Sequence, residues 1–360
     1  MNQFQNGAVL IAPPSMGAAI EVLGAAEARW RAGVAAGATD AQAIAQALRQ
    51  KGARAVLVLD DQQQAWLDTQ HASGHVTGVS GADGALIAGR WTQFVVQGFV
   101  AADAALLAMW DEGQPLPLLS WGDAASVPVA KRAHTEGIYA IVDTVARLRQ
   151  VLDAGITTVQ LRIKQPADAD PAWFAMLRRS LTDGIAAARD ANATLFINDH
   201  WRLAAELGAG AVHLGQEDLG LLGAAGLLEL AGADVALGVS SHAVWELCRA
   251  RTLTPAYIAC GPVWPKTTKD MPWRPQGLAN LGWWCRQAHA PVVAIGGILT
   301  ADLVRATARA GAAAVCVLRG LGDEPGQVVP ALQDAFAQGR AEHDAAAAPR
   351  WPHPSLEPTA

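Results

Sequence analysis

Cysteine is scarce in this chain, and the few cysteines form no recognisable group. Four occur in 360 residues, at positions 248, 260, 285 and 316, with neither CxxC spacing nor the spacing of metal ligands. All four fall on apolar segments, which is typical of reduced core thiols in a cytoplasmic protein. An excess of positive charge is also absent, since the net charge is −6 and the isoelectric point is about 5.8. A nucleic-acid surface needs a basic stripe, so we exclude that class of partner.

Long apolar runs are missing as well. Although 51% of the residues are hydrophobic, much of that fraction is alanine. The most membrane-like stretch covers residues 219–239, where Glu229, Asp234 and several glycines interrupt it, so we predict a buried helix followed by a strand. The first residues show no basic region before an apolar run, and we therefore expect no signal peptide and no membrane partner.

The first 112 residues predict a small α/β domain. Short apolar runs at residues 8–12 and 53–59 are typical of buried strands, and alanine-rich segments at 41–50 and 101–110 are typical of helices. The segment from His75 to Gly84 faintly resembles the glycine-rich anion loop of ribokinase-like kinases. Val79 stands where that family has its small reactive centre, so we interpret the segment as a glycine-rich turn. We assign no catalytic role to this domain.

Two segments are predicted to lie outside folded domains. Residues 113–136 contain three prolines and little periodicity, which favours a linker. Residues 341–360 contain an alanine run and then four prolines, which predicts a disordered tail. The main domain is therefore expected between them, over residues 137–340.

Residues 137–340 repeat a strand followed by a helix. Apolar runs begin near residues 138, 158, 194, 211, 235, 257, 292 and 314. Helical segments follow most of them, for instance at residues 144–154 and 301–310. Eight such units in about 200 residues match a (β/α)8 TIM barrel, so the predicted fold class is α/β, a TIM barrel preceded by a small α/β domain. In a TIM barrel the chemistry lies on loops at the carboxyl ends of the strands.

Three polar residues alternate along the second predicted strand. Strand geometry sends Gln160, Arg162 and Lys164 to one face, with Leu161 and Ile163 on the other. Polar groups that point into a barrel are costly unless they meet a ligand or a partner. Arg162 and Lys164 supply charge for phosphates, and Gln160 both donates to and accepts from a heterocycle edge. A structural ion pair with nearby carboxylates is the alternative interpretation.

Two aspartates follow the third and fourth predicted strands. Asp199 comes after Asn198, and Asp218 closes the segment His-Leu-Gly-Gln-Glu-Asp that begins at His213. Two carboxylates at the same barrel mouth, without a cysteine or histidine cluster, favour Mg2+ bridged to substrate phosphates. Either aspartate could instead cap a helix, and this alternative is strong for Asp199, which directly precedes one.

The loop after the sixth predicted strand carries donors for a phosphate-rich ligand. Gly261 and Pro262 end the strand, and two hydroxyls and two ammonium groups follow, from Lys266, Thr267, Thr268 and Lys269. Hydroxyls, backbone amides and lysines each donate hydrogen bonds to phosphate oxygens, and the lysines add charge. A surface loop with solvated lysines is the alternative when this loop is considered alone.

Other strand ends support a phosphate site. Ser240 follows the fifth strand and donates to a phosphate, or caps the next helix. Glycines follow the seventh strand at Gly296 and Gly297, and the eighth ends in Val-Leu-Arg-Gly, which includes Leu318 and Arg319. Backbone amides after the last two strands form the usual phosphate cradle of such barrels.

These motifs, in this order and at this spacing, resemble thiamine-phosphate synthase over about residues 137–320. The matching segments are Gln-Leu-Arg-Ile-Lys at 160–164, Asn-Asp at 198–199, His-Leu-Gly-Gln-Glu-Asp at 213–218, Gly-Val-Ser at 238–240, Gly-Pro-Val-Trp-Pro-x-Thr-Thr-Lys at 261–269 and Ala-Ile-Gly-Gly-Ile at 294–298. The resemblance implies that hydroxymethylpyrimidine diphosphate is joined to a thiazole phosphate, which gives thiamine monophosphate and releases pyrophosphate.

The resemblance also implies roles for the residues that match. Mg2+ is expected on Asp199 and Asp218, and three cations are expected to act on the diphosphate, namely Arg162, Lys164 and Lys269. The residues expected to contact the two small-molecule substrates are Gln160, Asn198, Ser240, Lys266, Thr267, Thr268, Gly297, Leu318 and Arg319. With orientation and charge supplied in this way, no covalent intermediate is required.

Two residues depart from the family pattern. Lys266 stands where the family usually has threonine, and Arg319 where it usually has serine. A thiazole tautomerase, which binds the thiazole phosphate and transfers nothing, is one alternative function, although it would not need both aspartates and the Gln-Arg-Lys set. A non-catalytic sensor of thiamine precursors is another, and the two departures keep it open. The sequence leaves the oligomeric state open, and a homo-oligomer is compatible with it.

Overall fold

The structure is a computed structural model, which describes residues 8–13, 19–34, 40–59, 65–79, 83–123, 127–129, 131–265 and 272–356. Two sheets organise these residues, an open sheet of six strands and a closed barrel of eight. The open sheet and its helices lie within residues 8–123, which we call the first domain. The barrel begins at Gly137.

The first domain is an antiparallel sheet packed between helices. Its strands are β1 (Ala8–Ala12), β2 (Glu21–Gly24), β3 (Ala55–Leu59), β4 (Ala65–Thr69), β5 (Ser73–Thr77) and β6 (Leu118–Leu119). Its helices are α1 (Ala25–Ala32), α2 (Ala41–Gln50), α3 (Gly84–Val96) and α4 (Ala101–Ala108). The strand order is β2-β1-β3-β4-β5-β6.

Burial pattern explains the central elements of this sheet. The strand β3, with the sequence Ala-Val-Leu-Val-Leu, is buried along its whole length, because helices cover both faces. The helix α2 turns Ile44, Ala45 and Leu48 towards one of those faces, and Asp40 begins it by accepting hydrogen bonds from Gln42 N at 3.0 Å and Ala43 N at 3.2 Å. The opposite face belongs to the same apolar core as the barrel's outer layer.

The second sheet is a closed parallel barrel, as predicted. Its strands are β7 (Gly137–Val142), β8 (Thr158–Leu161), β9 (Thr194–Asn198), β10 (Ala211–Leu214), β11 (Ala236–Ser241), β12 (Tyr257–Cys260), β13 (Val292–Ala294) and β14 (Ala314–Val317). The helices are α5 (Val145–Asp153), α6 (Pro171–Asp190), α7 (Trp201–Glu206), α8 (Gln216–Gly232), α9 (Val244–Thr252), α10 (Gly277–Gln287), α11 (Ala301–Arg309) and α12 (Pro325–Ala341). Pairing of β14 with β7 closes the barrel, and the eight predicted strand positions are confirmed.

Aromatic rings fill the inside of the barrel below its mouth. Tyr139 from β7, Phe196 from β9 and Tyr257 from β12 are all buried and contact one another. Gly238 on β11 makes room for one of these rings, because a Cβ there would lie 2.3 Å from Cζ of Tyr257. The barrel is therefore solid at this level, and its open space lies above these rings.

The first domain packs on the outside of the barrel against α9 and α10. Asp103 of α4 accepts a hydrogen bond from Trp245 N in α9 at 2.8 Å. The Arg249 guanidinium, also in α9, donates to the carbonyl oxygens of Ser73 at 2.8 Å and Ser120 at 3.3 Å. Trp110 meets Trp283 of α10 edge to face, with ring centroids 6.0 Å apart. One apolar core thus runs through both parts of the molecule.

Residues 113–123, the first described part of the linker predicted over 113–136, are part of the folded first domain. Leu118 and Leu119 form β6 and pair with Thr77 and Val76 of β5, so this stretch completes the open sheet. Leu116 is buried, and its carbonyl accepts a hydrogen bond from the Arg251 guanidinium at 2.6 Å. A two-residue strand shows no periodicity, which is why composition alone pointed to a linker.

Residues 341–356 differ from the predicted disordered tail. After a short 3-10 helix at Ala345–Ala347, Trp351 stacks edge to face on Trp110 at 4.9 Å. His353 N donates to Asn280 Oδ1 of α10 at 2.8 Å, and Leu356 is buried. Prolines in this stretch restrict the unfolded chain, so ordering it costs less entropy than composition suggests.

The stretch at residues 219–239 forms a helix and a strand, α8 and β11, as predicted, but the helix is not a buried one. Only Leu219, Gly226, Leu227 and Leu230 of α8 are buried, and Leu221 and Leu228 are exposed. Among the residues that the structure describes, we find no helix with the length and apolar character needed to cross a membrane.

Candidate active site

A cavity of about 360 Å³ opens at the carboxyl ends of the barrel strands. It lies directly above the buried aromatic rings, at the end of the barrel where such folds place their chemistry. Its lining residues are Tyr139, Ile141, Gln160, Arg162, Lys164, Asn198, Asp199, His213, Gly215, Asp218, Ser240, His242, Tyr257, Ala259, Gly261, Val293, Ile295, Cys316 and Leu318. The structure therefore brings together the polar residues of the second to fifth strand ends that the sequence predicted.

Lys164 and Asp199 form an ion pair at the cavity mouth. The Lys164 ammonium contacts Asp199 Oδ2, and about half of the lysine side chain and a quarter of the aspartate side chain are exposed. Asp199 occupies the left-handed region, with φ 63°, directly after β9. An aspartate tolerates this conformation better than most residues, yet such backbone strain is commonest at functional sites.

Asp218 provides the second carboxylate, from the first turn of α8. Its Oδ2 accepts a hydrogen bond from Gly215 N at 3.1 Å, so the expected capping interaction is present. Burial raises the pKa of the Asp218 carboxyl, and the negative charge of Asp199 raises it further. Two carboxylates that repel each other across a cavity favour a bound cation.

Asn198 presents a buried donor with no partner. Its side chain is 4% exposed, and within the described part of the chain no acceptor bonds to Nδ2. A buried amide without a partner costs free energy, on the order of 1–3 kcal/mol. Because Asn198 lines the cavity, a ligand that fills it recovers this cost. The donor points to an oxygen-rich ligand.

A line of hydrogen bonds crosses the cavity floor. Gln160 Nε2 donates to the Tyr139 hydroxyl at 3.2 Å, and the hydroxyls of Tyr139 and Tyr257 lie 2.8 Å apart. The Tyr257 hydroxyl lies 2.7 Å from His213 Nδ1, and His213 Nε2 lies 3.0 Å from Ser240 Oγ. Burial lowers the pKa of His213 to about 4, so the imidazole is neutral at physiological pH. The tyrosines and His213 were not among the predicted site residues.

His242 lines the cavity from the loop after β11. Glu246 of α9 fixes it by accepting hydrogen bonds from His242 N at 2.6 Å and from Nδ1 at 2.9 Å. The His242 ring stacks on the Trp273 ring with centroids 5.0 Å apart. The backbone carbonyl of His242 accepts a hydrogen bond from Gln276 Nε2 at 2.6 Å. Sequence reasoning missed this residue, although a histidine and a glutamate four positions apart at a helix start are a usable signal.

The predicted phosphate cradle is only partly described. Leu318 lines the cavity, whereas Gly297 and Arg319 are not among its lining residues. Gly297 has φ 75° and lies so close to the preceding loop that a Cβ would sit 2.5 Å from Cβ of Trp264. Arg319 is exposed in a short 3-10 helix at Arg319–Leu321. The predicted residues Lys266, Thr267, Thr268 and Lys269 lie outside the described residues.

Protein ligands for a metal are few in this cavity. Searched over its described residues, the chain has no cluster of three or more histidine, cysteine, aspartate or glutamate side chains suited to a metal. Asp199 and Asp218 are the two carboxylates among the lining residues described for this cavity, and each contributes oxygen. This donor set suits a hard ion that takes its other ligands from water and substrate, as Mg2+ does, and does not suit zinc.

Comparison with known proteins gives one consistent result. The model of a family described as thiamine monophosphate synthase matches residues 135–321. A thiamine-phosphate synthase from Neisseria meningitidis is 42% identical over 200 residues, which are 54% of this chain and 92% of that protein. One from Serratia proteamaculans is 40% identical over 206 residues, 56% of this chain and 90% of that protein. Among solved structures, a thiamine phosphate pyrophosphorylase from Pyrococcus furiosus has a TM-score of 0.48 and 25% identity, over 56% of this chain and 96% of that chain.

Proposed function

The chain belongs to the thiamine monophosphate synthase family, and we infer that it is a transferase of thiamine biosynthesis. It condenses hydroxymethylpyrimidine diphosphate with a thiazole phosphate to give thiamine monophosphate and pyrophosphate. The matched range contains the whole barrel from β7 to β14. The tautomerase and sensor alternatives are not favoured, since the similar proteins carry the synthase name.

One observation carries the assignment of the site. A single cavity unites the cations Arg162 and Lys164, the carboxylates Asp199 and Asp218, and the unpartnered amide of Asn198. Such a mixture binds a diphosphate with a divalent ion, because the anion needs donors and the ion needs carboxylates.

The reaction breaks one bond and forms another at the same carbon. The bond between the pyrimidine methylene carbon and the diphosphate oxygen breaks, and its electron pair leaves with the diphosphate. Arg162 and Lys164 stabilise the charge that develops there, and Lys269 is proposed to join them. The ring amino group stabilises the pyrimidinylmethyl cation that remains. The thiazole nitrogen then supplies the electron pair of the new bond.

The other predicted residues hold the substrates in this arrangement. Gln160 binds the pyrimidine edge, and Asn198 and Ser240 donate to the diphosphate. We propose that Lys266, Thr267 and Thr268 complete the diphosphate site. The thiazole phosphate is assigned to backbone amides at Gly297, Leu318 and Arg319. Orientation of two substrates in one cavity supplies much of the rate enhancement, and no covalent intermediate is needed.

Mg2+ is the proposed cofactor, and Asp199 and Asp218 are the residues that would hold it. When bound, the ion offsets negative charge on the diphosphate. Lys164 pairs with Asp199 in the structure, and an ion held by Asp199 would leave the Lys164 ammonium to the substrate. We place this reaction in the cytoplasm, because the four cysteines form no disulfide in the structure.

Pyrophosphate release tests the proposed function. The purified full chain is incubated with magnesium and both substrates, or with either one alone, and the products are identified by mass spectrometry. The proposal predicts pyrophosphate and thiamine monophosphate in equal amounts, and only with both substrates. Release from the pyrimidine diphosphate alone would indicate a hydrolase. Binding of both substrates without any product would support a sensor and contradict the proposal.

A further inference from the structure

The chain contains only two tyrosines, Tyr139 and Tyr257, and both lie in the line of hydrogen bonds on the cavity floor. The line starts at Gln160 and ends at Ser240, which are the proposed contacts of the pyrimidine and of the diphosphate. Every member between them is buried. Each hydroxyl and each imidazole nitrogen has its partner within the line, so the direction of one hydrogen bond constrains the next.

That direction follows from the first member. Gln160 Nε2 has no lone pair to offer, so it donates to the Tyr139 oxygen. A phenol has one proton, and the Tyr139 proton is therefore directed at the Tyr257 oxygen, 2.8 Å away. The Tyr257 proton is then directed at His213 Nδ1. Burial raises the pKa of both phenols, so both protons are retained.

The remaining two steps reach the ligand. Because Nδ1 accepts a hydrogen bond and so bears no proton, the proton of the His213 ring lies on Nε2 and is donated to Ser240 Oγ, 3.0 Å away. Ser240 then has its own proton left for the cavity. At the other end, Gln160 has its amide oxygen left for the cavity. The two ends of the line therefore present opposite functions, an acceptor at Gln160 and a donor at Ser240.

We propose that Tyr139 and Tyr257 are positioning residues. Tyr139 holds Gln160 as an acceptor for the pyrimidine amino group, and Tyr257 acts through His213 to make Ser240 a donor to the diphosphate. This rests on the proposed function for the identity of the ligands. The chemistry agrees at both ends, because an amino group donates and a diphosphate oxygen accepts. The reversed line, with the Gln160 amide turned over, would place a donor against the amino group and a lone pair against the diphosphate.

The tautomer of His213 reports the direction without any assay of activity. Nitrogen-15 spectra of the full-length protein distinguish a protonated Nε2 from a protonated Nδ1, and the His213→Gln variant identifies the signals. The proposal predicts a proton on Nε2 in the protein alone. A proton on Nδ1, or a mixture of equal parts, would overturn it, whatever the enzyme does with its substrates.

A double-mutant cycle tests the consequence for catalysis. Removal of the Tyr257 hydroxyl frees the His213 ring to change tautomer and take the Ser240 proton, so Tyr257→Phe should lower kcat/KM for the pyrimidine diphosphate about 10-fold. KM for the thiazole phosphate should stay within about 2-fold. Because Tyr257→Phe and Ser240→Ala remove the same donor, the double variant should lie within about 2-fold of Ser240→Ala alone.

Effects that multiply in the double variant would mean that Tyr257 is only a packing residue, and would overturn the proposal. Tyr139→Phe is the matched variant, because it removes the other hydroxyl of the line and leaves the Tyr257 to His213 bond in place. It should impair kcat/KM for the pyrimidine diphosphate through Gln160, and the His213 tautomer should stay on Nε2. A wild-type enzyme that releases no pyrophosphate would refute the proposed function, and the tautomer result would still stand on its own.

Discussion

A half-buried aspartate in the barrel and a fully buried one in the first domain show how the two parts of this molecule differ. Asp199 lies at the barrel mouth, inside a recognisable motif, and pairs with the Lys164 ammonium. Asp103 lies in the first domain, is 1% exposed, and bonds to backbone amides at the start of the barrel helix α9. The first carboxylate lines the proposed site, and the second holds the start of α9. Barrel residues thus form the proposed site, and the first domain supports a barrel helix through contacts that no sequence motif indicates.

Two successive sets of hydrogen bonds connect the first domain to the cavity. Asp103 fixes the first turn of α9. Glu246, in that same turn and 3% exposed, holds His242 through its backbone amide and its ring. His242 lines the cavity. Ordering of the first domain and shaping of the cavity are therefore coupled through α9.

The largest expected effect concerns the barrel carboxylates. Asp218→Ala should lower magnesium-dependent turnover about 1,000-fold with the fold intact, because a group that offsets charge in the transition state is lost. Steady-state pyrophosphate release at several magnesium concentrations measures it. The matched control is Glu217→Gln, an exposed neighbour in the same helical turn, which should leave turnover unchanged. Equal effects of both variants would contradict the assignment of Asp218.

Removal of the first domain should have the next largest effect. A fragment of residues 131–360 would expose Trp245 of α9 and Trp283 of α10, and would leave the amides at the start of α9 without their acceptor. Exposing a buried tryptophan costs about 3 kcal/mol or more, so several together exceed the stability of a typical domain. We expect an aggregated or unfolded fragment by circular dichroism. A soluble fragment with the turnover of the full chain would show that the barrel is independent.

A pH effect should distinguish Asp103 from the carboxylates of the cavity. Burial, and to a smaller extent the charge of Glu246, raises the pKa of Asp103 to about 7. Between about pH 4 and pH 7 the folded protein holds a proton that the unfolded chain has released, so this group's contribution to stability falls as pH rises. From pH 5 to pH 8 the expected loss is on the order of 2 kcal/mol.

The Asp103→Asn variant isolates that effect. Its amide oxygen still accepts from Trp245 N, but it does not titrate. Urea unfolding of both proteins at pH 5, 6, 7 and 8 should show a flatter profile for the variant. Parallel profiles would mean that Asp103 does not carry a raised pKa.

The smallest effect is expected at an exposed helix cap. Asp40 caps the first turn of α2, in the first domain, by accepting hydrogen bonds from Gln42 N and Ala43 N. It is distant in the sequence from α4, whose Asp103 bonds to the barrel helix α9. Asp40→Ala should cost about 1 kcal/mol of stability, and turnover of the remaining folded enzyme should be unchanged. Turnover that falls with this variant, at a temperature where the protein is fully folded, would mean that the cavity responds to general loosening of the first domain rather than to Asp103.

The sequence was enough to predict the barrel and most of the residues that line its cavity, for physical reasons. Apolar runs such as Val292–Ala294 are buried on both faces and stand out, and polar residues at strand ends, such as Asn198 and Asp199, stand out against them. Tyr139 and Tyr257 lie within apolar runs, where a tyrosine looks like any other core residue. Their part in the site became visible only when the structure gave the hydrogen-bond partners of their hydroxyls.

Contacts between distant segments escaped it entirely. The bond from Asp103 to Trp245 joins residues 142 positions apart, and the bond from His353 to Asn280 joins residues 73 apart. Neither pairing leaves a local pattern. An alanine-rich segment with prolines is expected to be disordered on composition, yet Trp351 and Leu356 anchor it to α10 and to the first domain.

Calorimetry of the full chain, with and without magnesium pyrophosphate, tests most directly whether the two parts act as one unit around the proposed cavity. A core shared by both parts predicts a single unfolding transition, and binding at the barrel mouth predicts that the whole transition moves to higher temperature. Two transitions, of which only one moves with the ligand, would show that the first domain stands apart from the site. That result would contradict the account.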